Sequence, residues 1–170
     1  MKNICIVAGE PNSINSEIIA KSWLKLKIAD RKKLIIIGNY NLIKLQLKKL
    51  KYKIDLEKKN IFNQTIKNKL RIYDISLKKN KLSKYIKDSL NKAHELAIKG
   101  KIKGFIKCAI DKSNLPNQNG VTEYLSSKNK NYFFKNMLIY NEKVSVVPLT
   151  THVELKKLSN KLSKKFIIKK

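Results

Sequence analysis

Short apolar runs alternate with longer amphipathic segments along this chain, and this alternation limits the possible folds more than any other feature. Four of the runs have the length and β-branched composition of strands: NICIVA (3–8), LIIIG (34–38), LRIYDI (70–75) and IKGFIKCAI (102–110). Runs that are apolar throughout are typical of parallel strands covered on both faces. The pattern predicts one α/β region over residues 1–170, with a largely parallel sheet flanked by helices.

The segments between the runs carry apolar residues at helical spacing. Ser16 is the predicted N-cap of the first helix, and the clearest helix is predicted from Leu82 to Lys99, with Gly100 just beyond its end. A short helix is predicted to begin near Thr122. Eight side chains of the first two helices are predicted to face inward: Ile18, Ile19, Trp23 and Leu26, then Leu42, Ile43, Leu47 and Leu50.

A further apolar run lies near the end of the chain. Val144, Val146 and Val147 are followed by Pro148, which predicts another buried strand. The basic segment after this run, with leucines at helical spacing through Leu162, predicts a helix.

A histidine lies where that strand and that helix are predicted to meet. Thr151 and Glu154 have the Thr-x-x-Glu spacing of a capping box, so the helix is predicted to begin at Thr151 and to include His152 in its first turn. The positive end of a helix disfavours imidazolium. A neutral imidazole there could bind a metal or polarise a substrate oxygen. The alternative is a histidine that has no role beyond occupying a helix start.

The net charge of +27 is large, but its composition argues against a nucleic-acid-binding surface. Of 39 basic residues only Arg31 and Arg71 are arginines, and the lysines are spread over nearly every segment. Nucleic-acid interfaces favour arginine and concentrate their charge on one face. We therefore expect lysine-rich solvated faces that attract polyanions in a salt-sensitive way, with no specific nucleic-acid partner. A basic nucleic-acid-binding module remains the less favoured alternative.

The sequence also bears on the compartment. Because no apolar run approaches the ~20 residues that a membrane-spanning helix needs, we expect no membrane partner. The N-terminus does not have the layout of a signal peptide, so we expect a cytoplasmic protein. Cys5 and Cys108 both lie in apolar runs, which predicts two buried, reduced thiols.

Polar residues follow four of the predicted strands directly. These groups are Gly9-Glu10-Pro11, Gly38-Asn39, Asp111-Lys112 and Thr150-Thr151-His152. In open α/β sheets ligands bind beyond the carboxyl ends of the strands. The sequence therefore predicts a site at that edge, and it contains no Walker loop, dinucleotide-binding glycine motif or serine nucleophile elbow.

Four stretches of the chain, in this order and spacing, resemble the 4-hydroxythreonine-4-phosphate dehydrogenase family. They are GEPNSINSEI (9–18), AIDK (109–112), GVTEYL (120–125) and TTHVEL (150–155). The corresponding family motifs read G-D-P-x-G-I-G-P-E-I, P-I-N-K, G-H-T-E-x-L and T-T-H-x-P-L. The resemblance implies an isocitrate/isopropylmalate dehydrogenase-like fold, of which this chain would form the N-terminal half.

The resemblance also implies a reaction. Members of that family oxidise and decarboxylate 4-phosphohydroxy-L-threonine with NAD or NADP and a divalent metal (Zn, Mg or Co), on the route to pyridoxal phosphate. Carried over, His152 would bind the metal, Thr122 would contact the phosphorylated substrate, and Lys112 is the candidate catalytic residue. The implied partners are a second copy in a homodimer or a complementary C-terminal polypeptide.

The chain departs from the family pattern at several positions. Val121 replaces the histidine of G-H-T-E and cannot form a hydrogen bond through its side chain. Glu10 replaces aspartate, and Ser13 and Asn15 replace glycines. We expect the second half of the family fold, with two further metal-binding histidines, to be absent. The alternative to an enzyme is therefore a truncated, non-catalytic α/β domain.

Overall fold

A parallel sheet of five strands organises the first part of the chain. The computed structural model describes residues 3–59, 68–116, 120–128, 137–150, 154–158 and 162–168. In chain order the strands are β1 (Asn3–Val7), β2 (Leu34–Gly38), β3 (Leu56–Lys58), β4 (Leu70–Asp74) and β5 (Ile102–Lys107). Their order across the sheet is β3-β4-β2-β1-β5, and every pairing between them is parallel. The predicted fold class is confirmed.

Helices cover both faces of this sheet. They are α1 (Asn15–Lys25), α2 (Ile28–Arg31), α3 (Tyr40–Lys49), α4 (Leu82–Ile98) and α5 (Val121–Lys128). Alternate residues of β2 enter different cores, because side chains point to opposite faces along a strand. Ile35 and Ile37 pack against α4, whereas Ile36 packs against α1 and α3. This two-sided burial explains why β2 is apolar throughout.

The predicted helix stripes are only partly correct. Ile19, Trp23, Ile43 and Leu47 are buried, as predicted, whereas Ile18 is 47% exposed. The buried stripe of α1 is narrow, and Ile18 lies beside it. Leu50 is also exposed, because it follows the last residue of α3 and leaves the helical repeat.

Of the two residues predicted to mark helix ends, one does so and one does not. Ser16 lies inside α1, and its hydroxyl donates to Gln46 Oε1 at 2.6 Å instead of capping the helix. Gly100 follows α4 with φ 63°, the left-handed conformation predicted for the residue after the helix.

Residues 126–170 form a second compact unit. Its described β-structure is an antiparallel bridge in which Ile139 and Val146 exchange two backbone hydrogen bonds of 2.8 and 2.9 Å. Val144 is 63% exposed and Val146 is 49% exposed. The prediction of a buried strand here is therefore wrong, since no element described in this unit covers these side chains. Apolar composition identified an extended segment, but not what would bury it.

The predicted C-terminal helix is also interrupted. A 3-10 turn spans Leu155–Lys157 and a five-residue helix spans Lys164–Ile168, while Leu162 belongs to neither. Thr151 and His152 lie outside the described residues, so the predicted capping box and the predicted position of His152 are not tested. Within the described ranges, no helix has both the length and the apolar character needed to span a membrane.

Both cysteines are free thiols, as predicted. Cys5 lies on β1 and is fully buried in the core that α4 covers, whereas Cys108 is only partly buried. Burial raises the pKa of the Cys5 thiol from 9.0 to about 12, because a thiolate would lose its hydration there.

This shift predicts a loss of stability at high pH. Above pH 9.0 the unfolded chain releases the Cys5 proton, whereas the folded chain keeps it until about pH 12. The free energy of unfolding should therefore fall by about 2–3 kcal/mol over the two pH units above 9, and this contribution is complete at lower pH. Urea unfolding at a series of pH values measures the effect. Cys5→Val should show a shallower fall, and an unchanged fall would contradict the assignment.

Candidate functional site

The loops after β1 and β5 meet at the carboxyl edge of the sheet. Gly9 adopts φ 72°, and the next residue, Glu10, donates its backbone N–H to the carbonyl of Ala109 at 2.9 Å. β1 and β5 are neighbours in the sheet, so the chain segments that leave them start side by side. The sequence prediction that Gly9-Glu10 and Asp111-Lys112 lie on one edge is confirmed.

Asn15 joins these two loops through its side-chain amide. It is the first residue of α1 and is 2% exposed. Its Nδ2 donates to the carbonyl oxygen of Ala109 at 2.9 Å, and its Oδ1 accepts from the N–H of Ala109 at 3.3 Å. The amide thus pairs with both backbone groups of one residue, as a neighbouring strand would. A residue that replaces a family glycine has become the link between the loops.

Removing this link should loosen the carboxyl edge. Asn15→Ala removes two hydrogen bonds that an almost fully buried amide makes to the backbone of Ala109, so we expect a loss of about 1–3 kcal/mol in the free energy of unfolding. Amide exchange at Ala109 should also become faster. Asn41→Ala, on the exposed face of α3, is the matched control and should change neither quantity. Equal effects of the two substitutions would contradict the role of Asn15.

The segment after β5 forms a tight turn that carries Lys112. Asp111 caps this 3-10 turn, Lys112–Asn114, by accepting from the N–H of Ser113 at 2.9 Å. The same hydrogen bond lowers the pKa of the Asp111 carboxyl. Asn114 donates to Glu10 Oε2 at 3.0 Å, which ties the turn to the loop after β1. The Lys112 side chain is exposed on this turn.

Thr122 lies exposed in the first turn of α5, where its hydroxyl can reach a ligand. Two residues later, Tyr124 is buried and donates to Asn91 Oδ1 of α4 at 2.8 Å. Val121, which replaces the family histidine, is half-buried and packs against the same core as α4. The position at which the family has a polar side chain therefore contributes to packing in this chain.

The remaining predicted polar groups have different outcomes. Asn39 has a structural role, because it caps α3 by accepting from the N–H of Leu42 and also donates to the carbonyl of Ile75. His152 lies outside the described residues, and its role as a metal ligand stays a prediction. Among the residues that the structure describes, no three His, Cys, Asp or Glu side chains form a group that could hold a metal ion.

No sequence pattern marks Asn114 as a residue of this site. Its contact with Glu10 joins residues that are 104 positions apart, and no local pattern marks such a pair. The rule that parallel strands end on one edge predicts that the two loops are close. It does not predict which side chains meet.

Comparison with known proteins supports the same relationship from two directions. The sequence profile of the family described as "Pyridoxal phosphate biosynthetic protein PdxA" matches residues 26–170. The chain is also 29% identical over 183 aligned positions to 4-hydroxythreonine-4-phosphate dehydrogenase of Aquifex aeolicus (strain VF5). That alignment covers 99% of this chain and 55% of the relative.

Solved structures show the same fold. The 4-hydroxythreonine-4-phosphate dehydrogenase of Klebsiella pneumoniae aligns with a TM-score of 0.82 at 19% identity, over 99% of this chain and 57% of that protein. The enzyme of Burkholderia phymatum aligns with a TM-score of 0.78 at 15% identity, over 98% of this chain and 55% of that protein. The chain thus spans little more than half the length of these relatives. On the profile match, which covers most of its length, the chain belongs to the PdxA family of pyridoxal phosphate biosynthetic proteins.

Proposed function

We propose that this chain acts in the cytoplasm as one part of a 4-hydroxythreonine-4-phosphate dehydrogenase, namely the part that corresponds to its own length. The reaction is the oxidation of 4-phosphohydroxy-L-threonine by NAD or NADP, followed by loss of carbon dioxide. The profile match over residues 26–170 is the observation that carries the proposal. The joined loops at the ends of β1 and β5 support it, because that edge is where open α/β sheets bind their ligands.

The proposal uses two exposed side chains for the substrate, Lys112 at this edge and Thr122 in the first turn of α5. The ammonium group of Lys112 would attract the phosphate or carboxylate of the substrate, and a charge-assisted hydrogen bond would fix that group. The hydroxyl of Thr122 can donate to a phosphate oxygen or accept from an amine. The network of Glu10, Asn15 and Asn114 would keep the turn that carries Lys112 in place. These residues bind and orient the substrate in the proposal.

In this function His152 would be a ligand of a divalent metal. When bound, such a metal would stabilise negative charge on the substrate hydroxyl oxygen as the hydride leaves. Catalytic metals usually have about three protein ligands, and the described residues offer no such group. His152 alone does not make a site, so the other ligands would have to come from further residues or from a partner chain.

Exposed apolar surface favours a partner for each unit. In the sheet, β5 is an edge strand and its Ile106 is 58% exposed. In the second unit, Leu138 and Ile139 are as exposed as Val144. Exposed apolar surface of this kind commonly marks an interface. We propose that a polypeptide equivalent to the remaining length of the relatives, or a second copy of the chain, covers it.

A complementation assay tests the proposal. The chain is mixed with the C-terminal part of the Aquifex aeolicus relative that lies beyond the matched segment, and NADH is followed by absorbance. Substrate and Mg²⁺, Zn²⁺ or Co²⁺ are supplied. We expect NADH only from the mixture and none after His152→Ala.

The second histidine of the chain provides the matched control for this assay. His94 lies half-buried on α4, so His94→Ala should keep the activity of the mixture. No NADH from any mixture would contradict the proposal, as would an active His152→Ala variant.

A non-catalytic domain of the same family is the second candidate. The packing role of Val121 favours it, because a substrate contact of the family is missing. In that case the Tm of the chain should not change with NAD, divalent metal or substrate, alone or with the complementary polypeptide. An increase in Tm with substrate would favour the enzyme instead.

A further inference from the structure

A cavity of about 640 Å³ lies beside β3, at the edge of the sheet away from the candidate site. Its lining includes four cationic and three aromatic side chains: Arg31, Lys44, Lys48 and Lys53, then Trp23, Tyr40 and Tyr52. Because β4, β2 and β1 separate β3 from β5, this basic cavity is distinct from the loops that carry Glu10 and Lys112. Its volume is in the range that binds small organic ligands.

Arg31 gives the basic cavity a fixed cation. Its Nε donates to the carbonyl of Leu26 at 3.0 Å, and its Nη2 donates to the carbonyl of Leu24 at 2.8 Å. The guanidinium also lies over the ring of Trp23, 5.5 Å from the ring centre. Its described acceptors are neutral, so no carboxylate among the described residues forms an ion pair with this charge. A guanidinium held in this way is well suited to phosphate.

Lysines of α3 and of the following loop add to this charge. Lys44 and Lys48 are exposed and lie one helical turn apart, where like charges repel, and Lys53 is exposed nearby. Asp55 is the acidic residue on the lining, so the cations outnumber it. A bound anion would relieve the repulsion between these side chains. The density of charge favours a ligand with more than one negative charge.

Aromatic surface supplies a second kind of contact. Tyr40 and Tyr52 are half-buried on the wall of the cavity, whereas Trp23 is 3% exposed and forms part of the apolar core beneath it. Aromatic rings stack on other planar rings and add about 0.5–1.5 kcal/mol per pair beyond area burial.

We propose that the basic cavity binds a phosphorylated ring compound of nucleotide size, at a site separate from the proposed dehydrogenase chemistry. The phosphates would contact Arg31 and the three lysines, and the ring would lie against the half-buried Tyr40 and Tyr52. This ligand would bind at the β3 edge without taking part in the reaction at the ends of β1 and β5.

Calorimetric titration with ATP at physiological salt tests the proposal, with adenosine and tripolyphosphate as the separate halves of the ligand. ATP should bind at least about tenfold more tightly than either half, since it alone uses both the cations and the rings. The fluorescence of Trp23, the only tryptophan, should change as ATP binds.

Charge-reversal variants locate the binding. Lys44→Glu with Lys48→Glu should weaken ATP binding by about tenfold or more, because two attractive charges become repulsive. Lys79→Glu with Lys84→Glu makes the same change in net charge at exposed positions at the start of α4, and should leave binding within about twofold. Circular dichroism confirms that both double variants are folded.

Three results would overturn the proposal. The first is no ATP binding at millimolar concentration. The second is an equal loss in both double variants, which would mean that the overall charge of +27 is responsible. The third is binding of tripolyphosphate or single-stranded DNA that is as tight as that of ATP and vanishes with salt. Since the test needs neither turnover nor a complementary polypeptide, its outcome is independent of the proposed dehydrogenase activity.

Discussion

Arg71→Met is expected to lower the free energy of unfolding by about 3–5 kcal/mol, because it removes one member of a buried charged group. Arg71 lies on β4 and is 1% exposed. Its Nη2 donates to Asn3 Oδ1 on β1 at 3.1 Å and also to the carbonyl of Lys32, just before β2. One guanidinium thus links β4 to β1 and to the segment just before β2. Methionine fills a similar volume but satisfies neither acceptor.

The carboxylate of Glu57 makes this loss larger. Glu57 lies directly opposite Arg71 in the pairing of β3 with β4. Burial lowers the pKa of Arg71, and the nearby Glu57 carboxylate opposes that shift, so the two charges stabilise each other. Glu57 Oε2 is buried and has no hydrogen-bond partner among the described residues. Without the guanidinium, the buried Oε2 would lose this compensation, and the carboxylate would keep only the looser ion pair of its Oε1 with Lys59, at 3.6 Å, among its described contacts.

Urea unfolding followed by Trp23 fluorescence measures the effect. Lys103→Met, an exposed cation on β5, is the matched control and should stay within about 0.5 kcal/mol of the wild type. Arg71→Lys should fall between the two, since an ammonium group keeps the charge but not the fork geometry of arginine. A wild-type midpoint for Arg71→Met would show that the buried cation adds no stability.

Arg71 also shows where sequence reasoning succeeds and where it stops. The segment LRIYDI was predicted to be a strand from its apolar residues, and the structure confirms β4 at Leu70–Asp74. The buried arginine within it was not predicted to matter. Its acceptors come from segments 68 and 39 residues away, so only the assembled sheet brings them together. Local patterns specify elements, while long-range polar contacts depend on register.

The second unit shows a different limit. The valines near Val144 were predicted to be buried, yet they are exposed. An apolar pattern indicates that the side chains are more stable away from water. It does not indicate which segment or partner chain covers them. Relatives that are almost twice as long could supply such cover within one chain. The candidate site was predictable to the level of its two loops, because parallel strands end on one edge.

Gly9→Ala is expected to disrupt the joined loops and to lower the free energy of unfolding by roughly 2–5 kcal/mol. Gly9 has φ 72°, a backbone conformation that residues with a Cβ atom rarely adopt. A Cβ at this position would lie 2.4 Å from the carbonyl oxygen of Ala109 and 2.8 Å from Nδ2 of Asn15. The backbone atom cannot rotate away, so the loop after β1 would have to separate from the end of β5.

Gly104→Ala provides a matched control. Gly104 lies on β5, and a Cβ there would meet nothing within 4 Å. That substitution should be neutral or slightly stabilising, because alanine restricts the unfolded chain more than glycine does. Urea midpoints measure both variants, and amide exchange at Glu10 should become faster in Gly9→Ala alone. Equal midpoints would mean that the loop tolerates the contact. If the difference is found, the first motif needs its glycine for the packing of two loops, and the presence of that glycine does not by itself indicate an active enzyme.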